Sequence, residues 1–112
     1  MESQRQLKIS RMLQREISEI FQRETRGKFG GALITVTKVK ITSDMSIARV
    51  NLSLFATKDK DALLEAIQHH SSEIRYHLGK RIRNQVRAIP GLEFYLDDSL
   101  DYIDNIEDLL EE

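Results

Sequence analysis

Residues 79–87, GKRIRNQVR, hold four cations in nine positions and no acid. Read as a helix, their spacing of three and four puts Lys80, Arg83, Asn84 and Arg87 on one face with Tyr76, the cations spread over about 10 Å at 1.5 Å per residue. Arg75 and Arg81 flank the apolar spine of the same segment. Such a row offers charge-assisted hydrogen bonds to phosphates: arginine presents a planar fork matched to two oxygens, lysine a mobile point charge. A helix face that meets only water commonly interleaves acids one turn away to relieve repulsion. No acid occurs between Arg75 and Glu93, so the stretch is read as a surface for a polyanion. A weaker second stripe, Lys8, Arg11 and Arg15, lies on the polar side of the first helical segment, with Glu16, Glu19 and Glu24 interspersed.

Other constellations promise less. GKFG at 27–30 has the glycine spacing of the backbone clamp in KH-type nucleic-acid-binding domains, but that clamp joins two helices and this one precedes a strand. His70, Glu73 and His77 share a helical face, yet histidines two turns apart strain a common metal centre. DDSLD at 97–101 lacks the glycine and spacing of a calcium loop. No phosphate-binding loop, dinucleotide turn or nucleophile–base signature is found, so the chain is not read as an enzyme, and no cofactor, metal or small-molecule substrate is expected. Phe21, Phe55 and Phe94 fall at core positions, leaving Tyr76, Tyr95 and Phe29 as possible stacking groups. That is thin for splaying a run of bases, and favours contact with backbone and structured RNA.

The net charge of −1 conceals an asymmetry. Residues 93–112 contain nine acids and no Lys or Arg, so residues 1–92 carry all 17 bases against nine acids. A basic body with an acidic tail points to a polyanionic partner. At 112 residues the chain is expected to form one domain, residues 1–112, with a single core. The absence of cysteine suits a reducing compartment, and MESQRQLKISR lacks the apolar core of a secretory signal. No run approaches the roughly 20 apolar residues that span a bilayer. A cytoplasmic protein without membrane contact is expected.

The elements that must carry these residues follow from periodicity. Apolar residues at 9, 12, 13, 17, 20 and 21 mark an amphipathic helix capped by Ser3 and stopped at Gly27. ALITVTKVKI reads as a strand with irregular alternation around Lys38–Ile41, where a bulge is suspected. After the turn TSDMS, IARVNLSLF alternates cleanly and pairs back as a hairpin. A helical pattern then runs from Asp59 or Asp61 toward Arg87 on the spine Leu63, Ile67, Ile74, Leu78, Ile82 and Val86. About 27 residues is long, so Ser71–Ser72 or Gly79 is a candidate kink, with Pro90 ending the segment. GLEFYL gives a third strand, and Ser99 caps a short acidic helix through Leu110. The expected fold is α+β, in the order α-β-β-α-(kink)-α-β plus the C-terminal helix, with helices on one face of the sheet.

Three stretches together resemble the ribosome-binding factor A family: ISRMLQREISEIFQRE, LITVTKVKITSDMSIARVNLSLF and IRYHLGKRIRNQVRAIPGLEFYLDDSLDYIDNIEDLL. The similarity covers nearly the whole chain. It implies a type II KH-like domain and a monomeric, non-enzymatic partner of the 30S small ribosomal subunit. It further implies contact with 16S rRNA near its 5′ end, a part in 5′-end processing and late assembly, and a role in the cold. In that family the glycine clamp is replaced by a helix–kink–helix carrying Ala-x-Gly, which here reads His70, Ser71 and Ser72. The Asp-Pro-Arg that often follows the first helix is Gly27, Lys28 and Phe29. The basic segment Lys80–Arg87 matches best. The RNA-facing set is thus Lys80, Arg81, Arg83, Asn84, Arg87 and Arg75, with Lys8, Arg11 and Arg15 as a second contact. The alternative from another class is an adaptor module that docks a protein and no RNA.

Overall fold

The first helix, α1 (Gln4–Arg23), starts at a reciprocal cap: the Ser3 hydroxyl accepts from the Gln6 N–H, and the Gln6 side-chain oxygen accepts from the Ser3 N–H. Leu13, Ile17, Ile20 and Phe21 bury one stripe of it against the sheet. A computed structural model, describing residues 2–97, places it beside a three-stranded sheet of β1 (Leu33–Ile41), β2 (Ile47–Phe55) and β3 (Gly91–Leu96). The strand order is β1-β2-β3; the first pair is antiparallel and the second parallel. Two further helices, α2 (Lys60–His69) and α3 (Ser71–Ile82), supply the crossover that a parallel pair requires.

The irregular alternation of β1 is a bulge at Thr37. Val36 pairs with Leu52 and Lys38 with Asn51, leaving Thr37 as the extra residue. The insertion resets the alternation, so Val36 and Val39 both face inward although three apart. The Gln14 side-chain amide of α1 donates to the Val36 and Thr37 carbonyls beside it. Further along, Ser10 accepts from the Ile41 N–H, which fixes the register of α1 on β1. Ala48, Val50, Leu52 and Leu54 of β2 form the floor of the core, with Phe94 of β3 beside them. The helices cover this face, and Lys38, Lys40, Arg49, Asn51 and Tyr95 lie in register on the other.

Three sequence expectations need correction. The helix predicted toward Arg87 ends at Ile82: Arg83, Asn84 and Gln85 form a turn closed by the Gln85 N–H on the Ile82 carbonyl, and Arg87 lies in a bend beyond it. The break between α2 and α3 falls at His70, with φ −96° and ψ 11°, the first of the three positions where the resemblance puts the kink and one residue before the Ser71–Ser72 pair; Gly79 lies inside α3. Its Nδ1 lies 2.8 Å from the Ala66 carbonyl and its ring packs edge-on against Phe29. Phe29, a candidate stacking group, is a core residue whose ring lies 6.2 Å from Phe21; Phe55 is only half-buried and stands outside the core cluster. Gly30 and Gly31, at φ 65° and 79°, turn the chain sharply beside Phe29, whose ring sits between Phe21 of α1 and His70. The expected acidic helix from Ser99 lies outside the described residues.

The two loops around β3 tie the crossover to the hairpin. Pro90 is buried, and the Gly91 N–H donates to the Ser46 carbonyl in the β1–β2 turn. In that turn the Asp44 carboxylate accepts from the Thr42 and Ser46 hydroxyls and the Ser46 N–H. These bonds, the Ser46 hydroxyl first, hold its pKa down at about 2.

Candidate nucleic-acid interface

The fold sorts the cations of α3 into two groups. Arg81 points back at α1, where its Nη1 donates to Glu16 at 3.1 Å and Glu19 at 2.5 Å, and its Nη2 lies 3.7 Å from Glu24. Burial works against that charge, but the two carboxylate hydrogen bonds outweigh it and hold the guanidinium above its ordinary pKa. Arg75 is spent on the backbone: its Nε donates to the Pro90 carbonyl and its Nη2 to that of Ile89, fastening the loop before β3. Lys80, Arg83, Asn84 and Arg87 are exposed, Lys80 with its ammonium 4.7 Å from the centre of the Tyr76 ring. So of the six positions expected on this segment, five are exposed, Arg75 among them despite its backbone bonds, and Arg81 alone is drawn in between α3 and α1.

The same seam explains the first helix. Glu16, Glu19 and Glu24, which dilute the α1 stripe in the sequence, turn toward α3, where they meet Arg81 and, for Glu24, His77. Lys8, Arg11 and Arg15 stay exposed on the other side, Arg15 keeping a loose contact of 3.6 Å with Glu16. They line a groove with Arg5 and Met12 whose far wall is Gln85, in the turn after α3. A second, smaller groove is bordered by Lys80, Arg83 and Ile89. The segment 83–89 therefore separates two cation-lined grooves, one belonging to α1 and one to α3. Sequence reading places these stripes on separate elements; the fold sets them side by side.

Lys28, beside the glycine turn, hydrogen-bonds Glu73 of α3, and that bond holds the Glu73 carboxyl below its ordinary range. His77 sits between Glu24 at 3.7 Å and Glu73 at 4.0 Å. No group of three or more metal-ligating side chains is found among the described residues. The outer face of the sheet adds a cation set that the helix-centred reading passes over: Lys38, Lys40 and Arg49, with Arg49 3.7 Å from Glu93. The alternation of IARVNLSLF is the signal for it, since it sends Arg49 outward. Among the described residues no helix is long and apolar enough to cross a membrane.

These features define a small α+β protein that gathers exposed cations around the turn leading into its last strand. The family model for ribosome-binding factor A matches residues 5–110, and the chain belongs to that family. It is 44% identical over 110 residues to the ribosome-binding factor A of Cytophaga hutchinsonii, covering 98% of this chain and 83% of that one. The relative from Prosthecochloris aestuarii is 44% identical over 106 residues, 94% of this chain and 85% of the other. Among solved structures, the crystal structure of ribosome-binding factor A from Thermus thermophilus superposes with a TM-score of 0.68 at 23% identity, covering 81% of this chain and 94% of that one. A Thermus thermophilus ribosome binding factor A model fitted into the cryo-EM map of a 30S complex gives a TM-score of 0.63 at 25% identity, covering 80% and 91%. The family is one of ribosome-binding factors, not a known family of enzymes.

Proposed function

We propose that this protein binds the free or immature 30S subunit in the cytoplasm and assists its late maturation, including processing of the 5′ end of 16S rRNA. It acts as a monomer, without catalysis of its own, and matters most in the cold. Lys80, Arg83, Asn84 and Arg87 contact rRNA directly, with Lys8, Arg11 and Arg15 as a second contact across segment 83–89. Arg75 and Arg81 belong to the same surface as positioning residues, holding the loop and the helix from which the others project. The observation that carries the reading is the turning of Glu16, Glu19 and Glu24 toward Arg81, which leaves the outward cations with little acid beside them, the loose Arg15–Glu16 contact apart. The fitted 30S complex of the Thermus thermophilus relative supports the choice of partner.

Sedimentation with isolated small subunits, large subunits and whole ribosomes over a salt series tests it. Selective co-pelleting with free small subunits is expected, with a slope of log K against log salt of about −4 for some five phosphate contacts. Arg83→Glu with Arg87→Glu is expected to weaken binding at least tenfold and leave the unfolding midpoint in place. A shallow slope and binding that survives nuclease would instead favour a protein-docking adaptor.

A further inference from the structure

Tyr76 is 60% exposed, although one turn of helix away the core is fully closed. The ring meets His77 edge-on at 5.7 Å and lies under the Lys80 ammonium, yet most of it stays in water at the middle of a cationic face. Its surroundings form a shallow, open groove. Gly79 opposes the ring across one turn, and the Ile89 side chain comes up from the loop before β3 to within 3.5 Å of where a Gly79 Cβ would stand. Any larger residue at 79 would fill that space. Ile89 is itself positioned from behind, since Arg75 draws its carbonyl into a 2.7 Å hydrogen bond. Arg75, Lys80 and Arg83 border it, so the depression has an aromatic side, an apolar side and three cations around it, Arg75 being tied to the backbone of the loop.

That arrangement suits one unpaired nucleotide. A base stacks on the tyrosine ring and packs its far edge on Ile89, while its flanking phosphates meet Lys80 and Arg83. A continuous duplex offers phosphates but no free base face, and would leave Tyr76 exposed. Resting on the rRNA-binding reading above, we infer that the Tyr76–Ile89 groove captures a single extruded base, which makes the surface selective for a bulge or single-stranded junction over continuous helix. The Lys80 ammonium over the ring is compatible with this, because arriving phosphate draws it off to the rim.

The test uses two RNA hairpins identical in length and phosphate count, one with a bulged nucleotide that carries its base and one with the same position abasic. The wild-type protein is expected to bind the base-bearing hairpin at least fivefold more tightly, the lower end of what one stacked base supplies. Tyr76→Leu is expected to bind both with the abasic affinity and an unchanged salt slope, while Tyr76→Phe keeps the discrimination. Equal wild-type affinity for the two hairpins overturns the inference, as does discrimination that persists in Tyr76→Leu. Arg83→Glu separates this from the wider reading. If it weakens both hairpins equally while the wild type does not discriminate, the cationic surface stands and only the base pocket fails. If neither hairpin binds at low salt and Arg83→Glu changes nothing, both fail together.

Discussion

Arg81→Met separates the cations that hold this fold from those that face outward. Methionine keeps most of the aliphatic stem packed against α1 while removing the guanidinium. Three carboxylates lose this partner, Glu16 keeping the 3.6 Å contact with Arg15 and Glu24 the 3.7 Å contact with His77. Glu16 and Arg81 have side chains only 15% and 21% exposed, so their hydrogen bond falls in the range of about 1.5–3 kcal/mol for bonds to charged groups, and the lower end applies at this depth. Glu19 and Glu24 are 38% and 40% exposed, and solvent screening reduces them to about 0.5 kcal/mol together. The expected loss is about 2 kcal/mol, or a fall in Tm of roughly 10 °C for a domain of this size. Arg83→Met, two residues on and exposed to solvent, is expected to move stability by less than about 0.5 kcal/mol. Urea unfolding at low ionic strength measures both. Adding Glu16→Gln to Arg81→Met should cost less than Glu16→Gln costs alone, because the acid has already lost its closer partner and keeps only the loose contact with Arg15. An unchanged midpoint in Arg81→Met, coupled with weakened binding to the small subunit, would refute this division and return Arg81 to the ligand-facing set.

Two further outcomes follow from local backbone and charge. Ala56 sits exposed at φ 57° after β2, so Ala56→Gly relieves a left-handed strain of about 1–2 kcal/mol against about 0.5–1 kcal/mol of added unfolded-state entropy, and thermal unfolding should show a net gain of about 0.5–1 kcal/mol. Asp44 has its folded pKa lowered to about 2 from 3.8, so its charge stabilises the hairpin turn fully above about pH 4. That contribution is lost as pH falls through 2; urea midpoints of wild type and Asp44→Asn should differ at neutral pH and converge on acidification, and a gap that widens in acid would contradict the assignment.

What the sequence reveals and what it hides divide along sequence separation. The ends of β2 and β3 are legible because β-branched and aromatic residues alternate between turn-forming neighbours. The bulge shows only as Val36 and Val39 three apart, and the Gln14 amide that meets its freed carbonyls comes from a helix 22 residues earlier. His70 breaks the long helical pattern without glycine or proline, and no propensity marks it. Phe29, set among glycines in a polar loop, looks exposed until the glycines are seen to fold it inward.

The charged residues follow the same division with more consequence for function. A helical wheel puts Arg81 beside the apolar spine, which is where a residue must lie to reach a neighbouring helix, yet its partners Glu16 and Glu19 are 65 and 62 residues away. Counted along the sequence, those acids weaken the case for α1 as a polyanion surface; in the fold they strengthen it, because acids turned toward Arg81 leave Lys8 and Arg11 uncompensated and Arg15 only loosely paired with Glu16. Self-repulsion among Lys80, Arg83, Arg87 and the α1 stripe must then be borne by the fold itself. The Arg81 cluster bears it by pinning α3 to α1 through opposite charges, and Arg75 by holding the loop that carries Arg87 back toward β3. A surface built this way keeps its cations poised for phosphate at little expense of stability. Replacing the outward cations should therefore weaken binding while leaving the stability of the free protein nearly unchanged, whereas replacing the inward ones should damage both.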